Sequence, residues 1–362
     1  MVTIKADALS DLVRDIFAKA GCSAAEAERI GRYLVSANLT GHDSHGVVRV
    51  PRYLAWKSEG AVKADQTVKV LTETPVLAVL DGLHGFGQTV APQAVEIGIS
   101  KCRRNGLSMI ALRNAGHIGR VGDWAEMAAA EGLVSVHFVN ASGSVLVAPY
   151  GGTERRLSTA PFCVGVPRPG HAPVVLDFAT SVVAEGKVLV ASFGGKTLPE
   201  NALIALDGSM GTDPHMLYGD YTPTGRRDHA KGKGAIRAFG EHKGSGLAFL
   251  CEILGGSLTG MSATGEGRPF GNGMLSFYVD PQVVDPDSFF PADMARYIAY
   301  FKSARPAVEG GEVLIPGEPE ERTRADRLEN GVPLSDDTWA AIVNAAREAG
   351  VDEARIQQAG AR

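Results

Sequence analysis

The sequence predicts an α/β fold in which an α/β domain is set into a helical module built by both ends of the chain. Three observations carry that expectation. From the N-terminus to about residue 60, apolar side chains recur at helical spacing. The middle of the chain runs strand, helix, strand, helix, strand, the pattern of α/β architectures. The tail after Asp293 returns to helical periodicity.

Leu9, Leu12, Val13, Ile16 and Phe17 predict the first helix. Ser23 opens the second, SAAEAERIGRYLVSANL, with Glu26 placed to complete a capping box and Ile30, Leu34, Val35 and Leu39 as the apolar stripe. After Val62, VKVLTETPVLAVLDG alternates apolar and polar residues around a proline break, as strands do. APQAVEIGISKCRRNG predicts a helix ending at Gly106, LSMIALRN a strand, GDWAEMAAAEG a helix and VSVHFVN a strand. Residues 145–187 carry loops and short strands centred on VPRPGHAPVVLDFATS. Residues 220–240, DYTPTGRRDHAKGKGAIRAFG, read as a basic, glycine-rich exposed loop. GSGLAFLCEILGGSLTG predicts a helix ended by glycines, MLSFYVDP a strand, and SDDTWAAIVNAAREAG a helix capped by Ser335. These elements divide the chain into a helical part over 1–70, an α/β domain over 71–290 and a second helical part over 291–362.

A length of 362 residues fits about two domains. Hydrophobic residues at 44% and charged residues at 21% exclude a disordered, collagen-like or disulfide-scaffold chain. The net charge of -5 argues against general nucleic-acid binding, which needs excess basic charge. The 44 glycines have no period, which points to backbone held close to a cofactor or substrate. Cys22, Cys102, Cys163 and Cys251 form no CxxC pair and read as small core residues in a reducing compartment. The N-terminus carries Lys5, Asp7 and Asp11 within its apolar pattern, unlike a signal peptide. No apolar run reaches the length of a membrane span, so a cytoplasmic location is expected.

Chemistry-bearing residues cluster in GHDSHGVVRVPRYL, residues 41–54. If this stretch is helical, His45 and Arg49 share a face. Arg49 would then grip a carboxylate in bidentate fashion, His45 would shuttle a proton at a neighbouring oxygen, and Ser44 would orient the imidazole. The same residues also read as an ordinary surface helix start capped by Asp43. A metal site at His42, Asp43 and His45 meets no standard ligand spacing. RNAGHIGRVGDW sets His117 among glycines between a strand and a helix, where α/β sheets present loops to ligands, or where a histidine fills a tight turn. Gly82, Gly85 and Gly87 resemble a dinucleotide loop, but Val90 breaks the G-x-G-x-x-G pattern, and a tight turn is the simpler reading. Lys187 and Lys243 either meet a cofactor phosphate, the second ahead of a helix N-terminus, or lie on the surface. The run Arg226, Arg227, Lys231, Lys233 and Arg237 reads as a solvated loop.

Taken in order, GHDSHG followed by Arg49, GFGQ, GHIGRVGDWAE, LSTAPF, LDFATS, EGKV, EHKGSGLAFLCEILGGSLTG and the late PGE resemble the malate/L-lactate dehydrogenase family, of the type that lacks a Rossmann fold. The likeness runs over nearly the whole chain, and GHIGR, PFCV and CEILGG look most like the bacterial hydroxycarboxylate dehydrogenase B branch. The resemblance implies a non-Rossmann NAD(P)-binding α/β domain inserted into a helical domain. It implies hydride transfer between a nicotinamide cofactor, NAD or NADP, and a small 2-hydroxy or 2-oxo acid, in a homodimer. By position it makes His45 the proton donor, Ser44 its relay, and Arg49, Thr159 and His117 substrate contacts. It places the cofactor against His117, Ile118, Gly119, Arg120 and Val121; against Asp177, Phe178, Ala179, Thr180 and Ser181; against Lys187, His242 and Lys243; and against Pro316, Gly317 and Glu318. No metal, nucleic acid or membrane is implied.

Three departures stand out. Ser158-Thr159-Ala160-Pro161 replaces the family's GTNP. Lys187 stands where imino-acid reductases of the family carry an Asp. The segment before EHKG is long and basic. Three alternatives stay open: a reductase of cyclic imino acids on the same fold, a metal-dependent lyase or hydrolase using His42, Asp43, His45 and His117, and a catalytically silent nucleotide-binding or scaffold protein.

Overall fold

The computed structural model describes residues 1–192, 194, 197–222, 227–229 and 231–360. Helix α1 (Ala6–Lys19) buries the predicted stripe from Leu9 to Phe17. Helix α2 (Ala24–Leu39) starts at Ser23, whose hydroxyl accepts the Glu26 N–H at 3.3 Å. The capping box is only half made. The Glu26 carboxylate turns inward and accepts from the Asp65 N–H at 2.7 Å and the Thr89 hydroxyl at 2.8 Å, while the Ser23 N–H donates to Asp65 at 3.0 Å. Tertiary donors thus outcompete the local one. Helix α3 (Val50–Ser58) follows, with Pro51 in its first turn.

The strand segments build a seven-stranded sheet. Its strands are β1 (Lys69–Glu73), β2 (Leu77–Asp81), β3 (Leu107–Ala115), β4 (Val134–Ser142), β5 (Pro161–Val166), β6 (Val174–Ala179) and β7 (Gly271–Val279). Their spatial order is β1-β2-β3-β7-β4-β5-β6. Only β2 and β3 pair in parallel, across a helical crossover, α4 (Gly87–Asn105), which ends at the left-handed Gly106 as expected. Every other neighbouring pair of this sheet is antiparallel: β1–β2, β4–β5 and β5–β6 join consecutive strands, and β7, distant in sequence, inserts antiparallel between β3 and β4. Helix α5 (Gly122–Ala130) packs Trp124 and Ala125 into the same core as Val90, Ala94 and Val95 of α4.

Beyond β6 come α6 (Glu185–Ser192) and α7 (His242–Cys251). Two expectations are corrected here. Within 220–240, Ala235–Arg237 is a strand, parallel to Val147–Ala148 and antiparallel to Leu203–Ile204, with Ala235 and Ile236 fully buried. These apolar residues pair once a small second sheet is available; Arg226 of the basic run lies outside the described residues. Helix α7 does not stop at its glycines either. It continues as a π-helical turn, Glu252–Ser257, and Gly255 and Gly256 lie inside that turn, close against Phe138 and Asn140.

The tail forms α8 (Phe289–Lys302), α9 (Glu318–Asn330), α10 (Asp336–Ala349) and α11 (Glu353–Gly360). Ser335 caps α10 by accepting the Thr338 N–H at 3.2 Å. Ile342, Ala346 and Ile356 share one apolar cluster with Leu9, Ile16 and Ile30, and residues 332–334 pair with 2–4. The two chain ends therefore pack together. Among the described residues no helix is long and apolar enough to cross a membrane.

Candidate active site

The 41–54 segment is not one helix, so the expected shared helical face does not form. Asp43–His45 and Val47–Arg49 are separate 3-10 turns, and Gly46 between them is extended. Asn38, buried at the end of α2, sets this geometry. Its amide donates to Asp43 at 2.6 Å, and its oxygen accepts the Val47 N–H at 2.8 Å. Arg327 of α9 grips the other oxygen of Asp43 at 3.1 Å. Asp43 is therefore a buttress between the chain ends rather than a helix cap.

On this frame, His45 Nδ1 lies 3.0 Å from the Ser44 hydroxyl. Arg49 Nε donates to the Ser44 carbonyl at 2.6 Å, and its terminal nitrogens make no ion pair among the described residues. The guanidinium is anchored by its inner nitrogen and keeps its fork available for a carboxylate. His117 stacks on His45, with ring centroids 5.5 Å apart and planes 13° from parallel. Its Nδ1 is 2.6 Å from the Tyr53 hydroxyl, which lies 3.0 Å from the Gln88 amide. Both imidazoles are half-buried and keep some exposed surface. Burial, then the charges of Arg49, His42 and Arg120, push His45 down to about 3. Burial, then Arg49 and His45, hold His117 well below the usual range. Both rings are neutral near pH 7. His42 turns away, with Nε2 3.5 Å from Glu320. The three histidines do not converge on a point, and no group of three or more His, Cys, Asp or Glu among the described residues could hold a metal. The metal-dependent alternative loses its geometric basis.

The malate/L-lactate dehydrogenase family model matches residues 4–343. The chain is 36% identical over 356 residues to hydroxycarboxylate dehydrogenase B of Escherichia coli K12, covering 97% of this chain and 96% of that one. It is 30% identical over 336 residues to a Δ1-pyrroline-2-carboxylate/Δ1-piperideine-2-carboxylate reductase of Pseudomonas putida, covering 91% and 92%. A solved Escherichia coli structure of the malate/lactate dehydrogenase type superposes with a TM-score of 0.91 at 35% identity, covering 100% of both chains.

The chain belongs to the malate/L-lactate dehydrogenase family.

Seen as a malate/L-lactate dehydrogenase family member, the chain places its other expected site residues unevenly. Arg120 is buried, with Nη1 3.1 Å from Asp123 and Nη2 2.8 Å from Glu126, so its charge is committed inside the protein. Ile118 and Val121 are buried; the Ile118 N–H donates to Asn272 at 3.0 Å, and Gly119 is left-handed. Asp177 accepts the Gly122 N–H at 2.7 Å and so covers the start of α5. Phe178 packs edge-on against Phe239, with Ala179 ending β6 beside it. The Thr180 hydroxyl donates to the Ala160 carbonyl at 2.9 Å and that of Ser181 to Val183 at 2.8 Å, so both side chains are already partnered. The Thr159 carbonyl accepts the Thr180 N–H at 3.1 Å. The Pro316 carbonyl accepts from Val175 of β6 at 3.4 Å, Gly317 is left-handed at φ 96°, and Glu318 opens α9, paired to Lys302 at 2.5 Å. Lys187, His242 and Lys243 are exposed, and Tyr150 packs its ring against His242. One expectation at α7 is corrected. The N–H groups of Lys243, Gly244 and Ser245 bond back to Gly240, Phe239 and Glu241, so these three are not free for an anion.

The glycines of GFGQ face the protein itself. The Gly116 N–H donates to the Gly85 carbonyl at 2.8 Å, and a Cβ at Gly87 would overlap the His117 carbonyl. The segment seats the His117 loop rather than a phosphate. The sequence motifs contain Gln88, Tyr53 and Glu252 with no signal that gives any of the three a task. Glu252 accepts from the Ser158 hydroxyl at 2.5 Å and the Ser158 N–H at 3.1 Å, and its other oxygen accepts the Thr264 N–H at 2.8 Å. The π-helical turn thereby fixes the Ser158–Ala160 loop, in which Ala160 is fully buried.

Proposed function

We propose that the protein is an NAD(P)-dependent 2-hydroxyacid dehydrogenase that works as a 2-oxo acid reductase, with an α/β body over 71–290 holding a cofactor in a non-Rossmann manner. The observation that carries this reading is the pairing of a half-buried imidazole, His45, with an Arg49 fork left free in the next turn of the chain. The chain's donors suit a phosphate-bearing dinucleotide through side chains: His242 and Lys243 are exposed beside a cleft lined by Tyr150, Gly151, Gly152, Arg237 and Glu241. Those two residues, with Lys187, would hold its anionic part, and segments 118–121, 177–179 and 316–318 would line it. When bound, the nicotinamide supplies the hydride that adds to C2 of the oxo acid.

The protein's own share is binding and proton handling. Arg49 pairs with the substrate carboxylate and so orients C2. That pairing offsets one of the charges that depress His45, which eases its protonation when substrate is in place. His45 then gives its proton to the carbonyl oxygen, and in reverse the neutral ring takes the proton of the hydroxyl. Ser44 holds Nδ1 of His45 throughout.

Unpaired, buried Cys22, Cys102, Cys163 and Cys251 support a reducing, cytoplasmic setting. Exposed Phe289, Tyr297 and Tyr300 on α8 support a homodimer, which sedimentation would check. The activity is tested by following NADH and NADPH absorbance against a panel of 2-oxo acids and cyclic imines. Oxidation with 2-oxo acids is expected. Turnover of cyclic imines alone would replace this reading with the imino-acid reductase, and no turnover of either would remove it.

A further inference from the structure

A network of side chains below His117 sets the state of that ring. Gln88 Nε2 lies 3.3 Å from the His117 carbonyl and 3.0 Å from the Tyr53 oxygen. A carbonyl oxygen only accepts, so the amide end facing it is the NH2 group, and that group donates to both. The Tyr53 oxygen is then an acceptor from Gln88, and its single hydrogen remains to be placed. The His117 carbonyl is 3.3 Å away, whereas His117 Nδ1 is 2.6 Å away. The hydrogen goes to Nδ1. A neutral imidazole that accepts at Nδ1 carries its own proton at Nε2.

We propose that Tyr53, oriented by Gln88, is a positioning residue that fixes the Nε2–H tautomer of His117, so that this half-buried ring presents a hydrogen-bond donor to a substrate oxygen beside His45. Tyr53 and Gln88 are each only 1% exposed, so water does not compete for these bonds. Burial holds the Tyr53 phenol well above its usual range, which keeps it a donor. The ring of Tyr53 is itself wedged between Phe17 and Phe86, at 6.4 and 6.0 Å between centroids, so its hydroxyl has little freedom to swing away. Gln88 Oε1 is buried with no partner among the described residues, a cost that the two bonds made by its NH2 end offset. The catalytic consequence rests on the dehydrogenase reading; the tautomer does not.

The test is Tyr53→Phe, which keeps the ring packing and removes the hydroxyl. Nitrogen-15 NMR of labelled histidine near neutral pH reads the tautomer directly. Wild-type His117 should show the Nε2–H pattern, and the variant a mixture of both tautomers. With a 2-oxo acid that the wild type reduces, kcat/KM should fall roughly tenfold while thermal stability changes little. Gln88→Met should move the His117 signal in the same direction by a smaller amount, and it serves in place of Tyr53→Phe should that variant fail to fold. An Nε2–H signal unchanged in both variants, or an Nδ1–H signal in the wild type, overturns the proposal. A wild type inactive on every oxo acid would instead defeat the dehydrogenase reading, with the NMR result still deciding the tautomer.

Discussion

The His45 and His117 rings lie face to face, 5.5 Å between centroids and 13° from parallel, each anchored at Nδ1 by a different hydroxyl, Ser44 for one and Tyr53 for the other. Two neutral imidazoles stacked this way can divide a task that one could not do alone: one exchanges a proton while the other holds the oxygen it acts on. Removing the first should therefore affect turnover more than binding.

His45→Ala should lower kcat by about 10²- to 10⁴-fold, the range of a lost general acid. Affinity for NADH or NADPH, read by fluorescence titration, should stay near that of the wild type. Near-normal kcat on every active 2-oxo acid would show that the proton comes from elsewhere.

Arg49→Lys tests the carboxylate site. Arg49 is held by Nε on the Ser44 carbonyl at 2.6 Å, which leaves its planar fork outward. Lysine retains the charge but cannot be anchored at one nitrogen and bind with two others. We expect kcat/KM for 2-oxo acids to fall by roughly 10- to 100-fold, about 1.4 to 3 kcal/mol of lost transition-state binding. An unchanged kcat/KM would take Arg49 out of the substrate site.

Acid should destabilise the fold through its buried histidines. His45 and His137 are pushed down to about 3 by burial, from an ordinary 6.5. Above 6.5 the ring is neutral in both folded and unfolded chains, and the fold has its full stability. As pH falls from 6.5 toward 3, the unfolded chain takes up protons that the folded one refuses, so stability is lost across that window. His137 is the cleaner probe, being fully buried in the sheet between the Ser276 hydroxyl at 2.8 Å and that of Ser135 at 3.0 Å. His137→Asn should lower Tm at neutral pH yet show a shallower decline of Tm with acid. A decline as steep as the wild type's would mean that His137 is not among the groups responsible.

Local signals were legible where local chemistry decides. The stripe of α1, the Ser23 and Ser335 caps and the Gly106 stop are set by residues a few positions apart, and all form. Ser44, His45 and Arg49 could be grouped from spacing alone because they are neighbours in the chain. What spacing could not show is partnership across the fold. Strand β7 enters between β3 and β4 from far along the chain and pairs antiparallel with both, which no local pattern announces. Glu26 leaves its capping box because Asp65 and Thr89 offer better donors. Glu252 sat inside a plain apolar helix pattern, and only the fold reveals that its carboxylate seats the Ser158 loop. Arg120 is a cofactor contact by resemblance alone, and only the fold shows Asp123 and Glu126 closed around its guanidinium.

Gly186→Ala separates helix stability from site geometry. Gly186 lies in the first turn of α6, and a Cβ there would come within 2.8 Å of the Ser44 Cβ. Helix propensity alone favours alanine over glycine by about 1 kcal/mol. The steric term acts the other way, and it acts on Ser44, the residue that orients His45. To fit the methyl, either α6 retreats or the Ser44 hydroxyl shifts off Nδ1 of His45, from which it now stands 3.0 Å. The expected outcome is a Tm close to the wild type's, because the two terms offset, with kcat reduced about five- to tenfold, in line with one hydrogen bond disturbed. A variant with lower Tm and full kcat would mean that α6 moves and Ser44 does not. In that case the glycine serves helix packing alone, and the link from α6 to the His45 imidazole is absent.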